Sequence, residues 1–389
     1  MNPSAPLPLL ALAIFAANMG LGIIFPLIPH LAAGGPEGAA AVGWIFSSYA
    51  ITLVIAQIIG GALADRLDAA RVLSRALALY FITLLLFTVA RGIPFLMVVR
   101  ALEGFAVGLI VPCVMKLVVR SVPPERLGRG IGTVMGLGGL GFIAGPLIGG
   151  YLAPIGLQLP FLAAASVAGI AASASVIWLP AGPGEPTAEP LSAEFAKVGT
   201  RLKDATFWGL VLPLIAVKIN FSTMQAGLPL IGDQVLGVDL PHVSWLFVIT
   251  AVAYALAQAL AGQLADRFAT RWLITGAFLL MAPLLVLLAN QTSYTAFLLP
   301  YALFSLAQCA SVLFAMKHLG AGLGETSQGR AFGLASAVGD MGMIVAPSAL
   351  LPLFAWRHPA LLIALAGVMI ACLLPFLVLS RRRSVVEAA

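Results

Sequence analysis

Charged side chains are scarce in this sequence: Lys, Arg, Asp and Glu together make up 9% of its 389 residues, while 61% are hydrophobic. A water-soluble domain is about a quarter charged, because its surface has to be hydrated. So few polar groups could not cover the surface around so much apolar material. The composition argues against a water-soluble domain and predicts a protein whose solvent is the lipid bilayer.

Cysteine and histidine are also rare, with three and four residues. Cys113, Cys309 and Cys372 are scattered through apolar stretches without CxxC spacing, so we interpret them as small packing residues. The sequence shows no nucleotide-binding loop, metal-ligand cluster or nucleophile–base set. We therefore expect neither an enzyme nor a bound metal or cofactor.

Twelve apolar stretches are each long enough to cross a bilayer, which takes about 20 residues in a helix. The first six fall at roughly 7–31, 40–62, 72–90, 94–119, 128–152 and 157–180. The other six fall at roughly 206–231, 242–262, 272–290, 293–317, 329–353 and 358–380. The sequence thus predicts an all-α membrane protein with 12 transmembrane helices.

The distribution of basic residues predicts the orientation. If both termini are cytoplasmic, only Arg91 and Arg357 lie outside and only Arg100 and Lys218 lie within spans, which leaves the other 17 of the 21 Lys and Arg on cytoplasmic segments. Such an excess is typical of cytoplasmic loops. We expect a multi-pass inner-membrane protein with both termini cytoplasmic. The net charge of +6 then reflects topology rather than nucleic-acid binding.

A polar, proline-containing segment at 181–204 divides the spans into two sets of six. It predicts an N-terminal bundle at 1–180, a cytoplasmic linker and a C-terminal bundle at 205–389. An internal repeat supports two pseudo-symmetric halves, because an offset of about 201 residues carries Gly138 to Gly339 and Pro146 to Pro347. Parallel six-helix repeats with substrate bound between them are used for alternating access.

The loop between spans two and three carries Gly61-Ala-Leu-Ala-Asp65-Arg66. This segment resembles the loop signature of the major facilitator superfamily. A second copy lies between spans eight and nine, with Gly262, Asp266 and Arg267. The resemblance implies a gate in which Asp65 faces the start of span eleven, where a helix N-terminus favours negative charge. A topogenic turn with solvated charges is the alternative.

Two further segments resemble signatures of the same superfamily. Arg100-Ala-Leu-Glu103-Gly104 in span four resembles its Arg-containing motif, with Glu103 in place of the usual Gln. The span-five motif resembles that of the 12-helix drug–proton antiporters and comprises Gly132, Gly141, Gly145, Pro146, Gly149 and Gly150. This second resemblance implies export in exchange for protons. Gly141, Gly145 and Gly149 also share one helix face, which allows close helix packing.

Few charges remain inside the spans to couple transport to protons. Lys218 and Asp340 lie about midway along spans seven and eleven, which neighbour each other in the fold that the resemblance implies. Protonation of Asp340 would break such a pair and leave Lys218 uncompensated. Arg100 and Glu103 form the second candidate pair. A static buried ion pair is the alternative at both places.

The sequence favours transport of small hydrophobic or amphipathic compounds, because few charged side chains lie within the spans. The candidate cavity side chains are neutral: Asn18, Gln57, Asn220, Gln225, Tyr254 and Gln308. Expected partners are a small-molecule substrate, protons and membrane lipids, with the chain as a monomer and without nucleic acid. A transporter of a specific metabolite, such as a sugar or nucleoside, and a lipid transporter are the alternatives.

Overall fold

The computed structural model describes residues 5–32, 38–123, 126–179, 205–323 and 328–386. These residues form fourteen helices and no strand. In the first half of the chain the helices are α1 (Leu7–Ala32), α2 (Gly38–Arg66), α3 (Ala69–Val89), α4 (Ile93–Ser121), α5 (Leu127–Gly139), α6 (Gly141–Leu152) and α7 (Leu159–Trp178). In the second half they are α8 (Ala205–Gln234), α9 (Leu240–Arg267), α10 (Thr270–Ala289), α11 (Tyr294–Leu323), α12 (Gln328–Leu350), α13 (Pro352–Trp356) and α14 (His358–Val386).

Twelve segments of the described residues are long and apolar enough to cross a bilayer. They overlap all twelve predicted spans, so the prediction of a multi-pass membrane protein is confirmed. Large apolar side chains at their surface, such as Ile177 and Leu299, are each 69% exposed in the isolated chain. That exposure suits contact with lipid, which is as apolar as the side chains themselves.

Two of the predicted spans consist of two helices rather than one. The fifth is broken at Leu140, between α5 and α6, where the Leu140 N–H bonds to Leu137 O in a tighter turn (3.3 Å). Glycines flank this point, and Pro146 further on provides no N–H and crowds the preceding turn. The eleventh span is broken before Pro352, which begins α13 and likewise has no N–H to continue α12.

The chain divides into two compact units. One comprises Met1–Glu189 together with Asp239–Val248, and the other comprises Pro190–Val238 together with Ile249–Ala389. The predicted linker at 181–204 lies outside the described residues. The proposed boundaries of the two bundles therefore stay a prediction.

The helices of each half pack in the same pattern. In the first half α1 packs on α5, α6 and α7, while α3 packs on α4 and α7. In the second half α8 packs on α12 and α14, while α10 packs on α11 and α14. These pairs correspond by their order in each set of six spans, so the internal repeat seen in the sequence is a structural repeat.

Glycines at equivalent positions make the closest of these contacts possible. A Cβ atom on Gly141 would lie 2.7 Å from Met19 N on α1, and one on Gly342 would lie 2.9 Å from Ile219 Cγ1 on α8. Both distances are too short for a real side chain. The first and fifth spans therefore approach closely along a seam of glycines in both halves, against backbone atoms in the first half and against a side chain at Gly342 in the second.

Candidate functional site

An ion pair joins the first and fifth spans of the second half. Lys218 Nζ on α8 lies 2.6 Å from Asp340 Oδ1 on α12, and the two side chains are 21% and 7% exposed. Gly339 and Gly342 flank the carboxylate and face α8, which brings the two backbones close enough for the pair to form. The structure thus brings together the two residues that the sequence analysis paired.

The first half has a neutral contact at the equivalent place. Gly141 lies against Met19 as Gly342 lies against Ile219, so these contacts pair Asn18 with Lys218. The Asn18 Nδ2 donates a hydrogen bond to Gly138 O on α5 at 3.1 Å. Asn18, a predicted cavity residue, thus ties α1 to the turn just before the break at Leu140. Of the two equivalent contacts, only that in the second half is ionic.

The chemistry of the Lys218–Asp340 pair follows from its surroundings. An ammonium and a carboxylate this close stabilise each other strongly where water is largely excluded. A proton on Asp340 would remove the negative charge and leave the Lys218 ammonium without a counter-ion. Protonation of Asp340 would therefore weaken the contact that holds α8 against α12.

A second ion pair lies within α4 and is fully buried. Arg100 Nη1 donates to Glu103 Oε2 at 2.5 Å, and neither side chain is exposed. The Arg100 guanidinium also lies over the ring of Tyr49 on α2, with Cζ 4.2 Å from its centroid, and 5.7 Å from that of Phe46. A cation over an aromatic face is attracted by the ring quadrupole. Among the residues that the structure describes, Arg100 Nε and Nη2 and Glu103 Oε1 have no hydrogen-bond partner.

Gly104 explains how the aromatic rings reach Arg100. A Cβ atom there would lie 2.5 Å from Thr52 Oγ1 and 3.0 Å from the carbonyl carbon of Tyr49. Only glycine lets α2 approach α4 so closely, and this approach places the Tyr49 ring over the guanidinium. The sequence analysis missed Tyr49 as a partner of Arg100. The available sequence signal was an aromatic residue in a neighbouring span. Such residues are too common in membrane helices to identify a partner for Arg100.

Three glycines of the span-five motif form the seam with α1. Alongside Gly141, a Cβ on Gly145 would lie 2.8 Å from Gly22 Cα and one on Gly149 would lie 3.1 Å from Ile23 O. Pro146 joins this contact, since its Cδ lies 2.7 Å from where a Gly22 Cβ would stand. The expected packing face is therefore present, and it abuts backbone atoms rather than movable side chains.

The two remaining glycines of the motif behave differently. A Cβ atom on Gly132 would meet nothing within 4 Å among the described residues, so this glycine does not share the close contact that the other three make. Gly132 lies in α5, before the break at Leu140, and its position is exposed. Gly150 faces Ser244, whose Cβ lies 2.7 Å from where its own Cβ would stand.

The predicted gating residues lie where two helices end. Gly61, Asp65 and Arg66 are in the last two turns of α2, and the second copy occupies the same place in α9 with Gly262, Asp266 and Arg267. The Arg267 side chain is exposed, whereas the surroundings of the other five residues lie outside what the structure describes. The latch between Asp65 and the start of span eleven stays a prediction.

The predicted cavity residues are only partly brought together. Gln308 Nε2 on α11 donates to Asn220 Oδ1 on α8 at 2.9 Å, and both side chains are buried. Gln225 is also buried, Gln57 is half-buried and Tyr254 is 45% exposed. Asn220 and Gln308 thus form a hydrogen bond within one unit.

Known proteins share parts of this sequence and its overall fold. The model of the Major Facilitator Superfamily matches residues 10–241 and 221–388. Multidrug resistance protein 1 of Bacillus subtilis (strain 168) is 27% identical over 75% of each chain. Quinolone resistance protein NorA of Staphylococcus aureus (strain MRSA252) is 28% identical, over 42% of each chain.

The structure is also similar to a crystal structure of a bacterial homologue of the human lysosomal transporter Spinster, in an inward-facing and occupied conformation. The TM-score is 0.79 at 15% identity, over 96% of each chain, which shows a shared fold. The family match spans nearly all of the twelve apolar segments. The chain therefore belongs to the Major Facilitator Superfamily, whose members transport small molecules.

Proposed function

We propose that the protein exports small hydrophobic or amphipathic compounds in exchange for protons, and that Asp340 carries the proton. The observation that carries this proposal is the Lys218–Asp340 ion pair between α8 and α12. Charges inside membrane spans are costly, and those that occur usually serve a transport or coupling role.

The proposed cycle uses the pair as a switch. With Asp340 ionised, the pair holds α8 against α12. A proton arriving from outside neutralises Asp340, the pair opens, and the chain favours the conformation that releases substrate. Release of the proton to the cytoplasm restores the pair. The buried Arg100–Glu103 pair is a second place where a proton could be held.

The proposed direction of transport rests on similarity to other proteins. The proposed substrate class rests on that similarity and on the neutral side chains of the candidate site. Two relatives are named for resistance to drugs, and the span-five motif resembles that of drug–proton antiporters. The candidate binding side chains Asn220, Gln225 and Gln308 are uncharged, which suits neutral and amphipathic molecules. We further propose an inner-membrane location with both termini cytoplasmic, which a reporter fused to the C-terminus would test.

The test of coupling uses everted membrane vesicles that have been energised so that their interior is acidic. Lipophilic drugs and neutral metabolites are added one at a time, and the internal pH is followed by a fluorescent dye. An exchanger releases internal protons when it carries a compound inward. We expect at least one lipophilic compound to do so with the wild-type protein, and none with Asp340→Asn.

Asp239→Asn is the matched control, since it removes a carboxylate that is 65% exposed and lies before α9. It should leave the exchange unchanged. Glu103→Gln tests the second pair in the same assay. The proposal fails if Asp340→Asn exchanges protons like the wild type, or if a labelled compound crosses by a route that is independent of pH. The latter result would favour facilitated or lipid transport.

A further inference from the structure

A cluster of neutral polar side chains lies between α8 and α11, apart from both ion pairs. The two helices run antiparallel, because Leu210 and Leu214 near the start of α8 pack with Ala315 and Leu319 near the end of α11. The Asn220–Gln308 hydrogen bond lies further along the same interface.

This register places two hydroxyl groups opposite each other. Thr223 follows Asn220 by about one turn of α8, and Ser305 precedes Gln308 by about one turn of α11. Because the helices are antiparallel, Thr223 and Ser305 lie at the same level, next to the amide pair. The four side chains are between 0% and 2% exposed.

Two polar atoms of this cluster, Asn220 Nδ2 and Thr223 Oγ1, have no hydrogen-bond partner within the described part of the chain. The Ser305 hydroxyl, in contrast, interacts with that of Tyr301. Buried polar groups are almost always paired, since an unpaired group has lost its water without replacement. Two such groups, one turn apart on α8, point to a binding partner that is common to them.

The charge of the cluster limits what that partner can be. Its members are an amide pair and two hydroxyls, and the next polar contact along α11 is another neutral one, between Tyr301 Oη and Thr250 Oγ1 at 2.7 Å. Lys218 is two residues before Asn220, which is about 200° around the helix and so on another face. A charged group would find no counter-ion in this cluster.

We propose that Asn220 and Thr223 bind a neutral hydrogen-bonding group of the transported molecule, such as a hydroxyl, a carbonyl or an amide. This inference rests on the proposed transport function but not on proton coupling. The site selects compounds that combine an apolar body with such a group, because an apolar compound leaves the two polar atoms unpaired.

The test is equilibrium binding to the full-length protein in lipid nanodiscs, at one pH and without a proton gradient. Chloramphenicol is the neutral probe, with hydroxyl and amide groups, and tetraphenylphosphonium is a lipophilic probe with no hydrogen-bonding group. Thr223→Val removes the hydroxyl and keeps the shape. We expect it to weaken chloramphenicol binding about tenfold, the equivalent of one hydrogen bond, and to leave tetraphenylphosphonium binding unchanged.

Thr275→Val is the matched control, because the Thr275 hydroxyl is buried but already bonds to Arg271 O at 2.8 Å. It should alter binding of neither probe. Thermal unfolding separates binding from folding, since loss of an unpaired buried hydroxyl at position 223 should not destabilise the protein.

Three results would overturn the proposal. The first is unchanged chloramphenicol binding by Thr223→Val, which would assign the unpaired atoms to resident water. The second is a wild-type protein that does not bind chloramphenicol. The third is equal weakening of both probes together with a lower unfolding temperature, which would make Thr223 a structural residue. Because no proton gradient is used, failure here leaves the role of Asp340 to its own test.

Discussion

Replacing Gly145 with alanine tests the glycine seam directly. The new Cβ atom would lie 2.8 Å from Gly22 Cα, and closer still to the carbonyl oxygen of Met19. Ordinary contact begins at 3.4 Å, so α1 and α6 would have to separate by more than about 0.6 Å at this point. Both atoms belong to backbone, and no side chain can move aside to relieve the overlap.

Overpacking of this kind costs about 1–3 kcal/mol. Alanine also has a higher helix propensity than glycine, worth about 0.8–1 kcal/mol where no clash opposes it. Gly132→Ala is the matched control, because it has the same propensity gain and nothing within 4 Å of the new methyl group. We expect Gly145→Ala to lower the free energy of unfolding and Gly132→Ala to leave it unchanged or raise it.

The measurement is thermal unfolding of the purified variants in the same detergent, with transport assayed in parallel. Gly149→Ala gives an intermediate point, since its nearest backbone atom is 3.1 Å away. The expected order of stability is Gly132→Ala, then Gly149→Ala, then Gly145→Ala. If Gly145→Ala is as stable as Gly132→Ala, the seam is not the close contact that determines the packing of these helices.

Three further predictions concern polar groups. Asp340→Asn should destabilise the protein by about 3–5 kcal/mol, because it leaves Lys218 unpaired. The double variant Asp340→Asn with Lys218→Met should recover the stability, as measured by thermal unfolding, but should not recover proton exchange. Tyr80→Phe should lose about 1 kcal/mol, because the Tyr80 hydroxyl donates a buried hydrogen bond to a carbonyl of α1 at 3.0 Å. Hydrogen bonds from His242 lower the pKa of Asp239 below its ordinary value. The stability that these bonds add is therefore present above the ordinary pKa and is lost as the pH falls through the lowered pKa. Unfolding midpoints measured from about pH 6 to 3 should show this loss in the wild type and not in Asp239→Asn.

The fold was largely predictable because the bilayer constrains the sequence so strongly. Each span needs a long apolar run, and these runs gave the helices to within a few residues. The breaks at Leu140 and before Pro352 were not predicted, because a helix with glycine or proline can bend or stop and hydropathy does not distinguish the two. The local hydrogen bonds decide it, and those appear only in the structure.

The candidate site was predictable where charge was involved. Lys218 and Asp340 stand out in an apolar sequence, so their pairing could be expected before the structure placed them together. Thr223 could not be found in this way, since hydroxyl residues are common in membrane helices and usually bond to their own backbone. The Thr223 hydroxyl is of interest because it lacks a partner among the described residues, which depends on the packing of α8 against α11.

If Asp340 carries the proton, as proposed, a single carboxylate in one half of the repeat limits the energy available for transport. An exchange that uses one proton at Asp340 moves one charge when the cargo is neutral, and a membrane potential of 100 mV then supplies about 2.3 kcal/mol, or a concentration ratio of roughly 50-fold. A monovalent cation exchanged for the same proton moves no net charge, and only the pH difference drives its export. Under the proposed mechanism, the charge of each cargo therefore determines which component of the proton gradient drives its export.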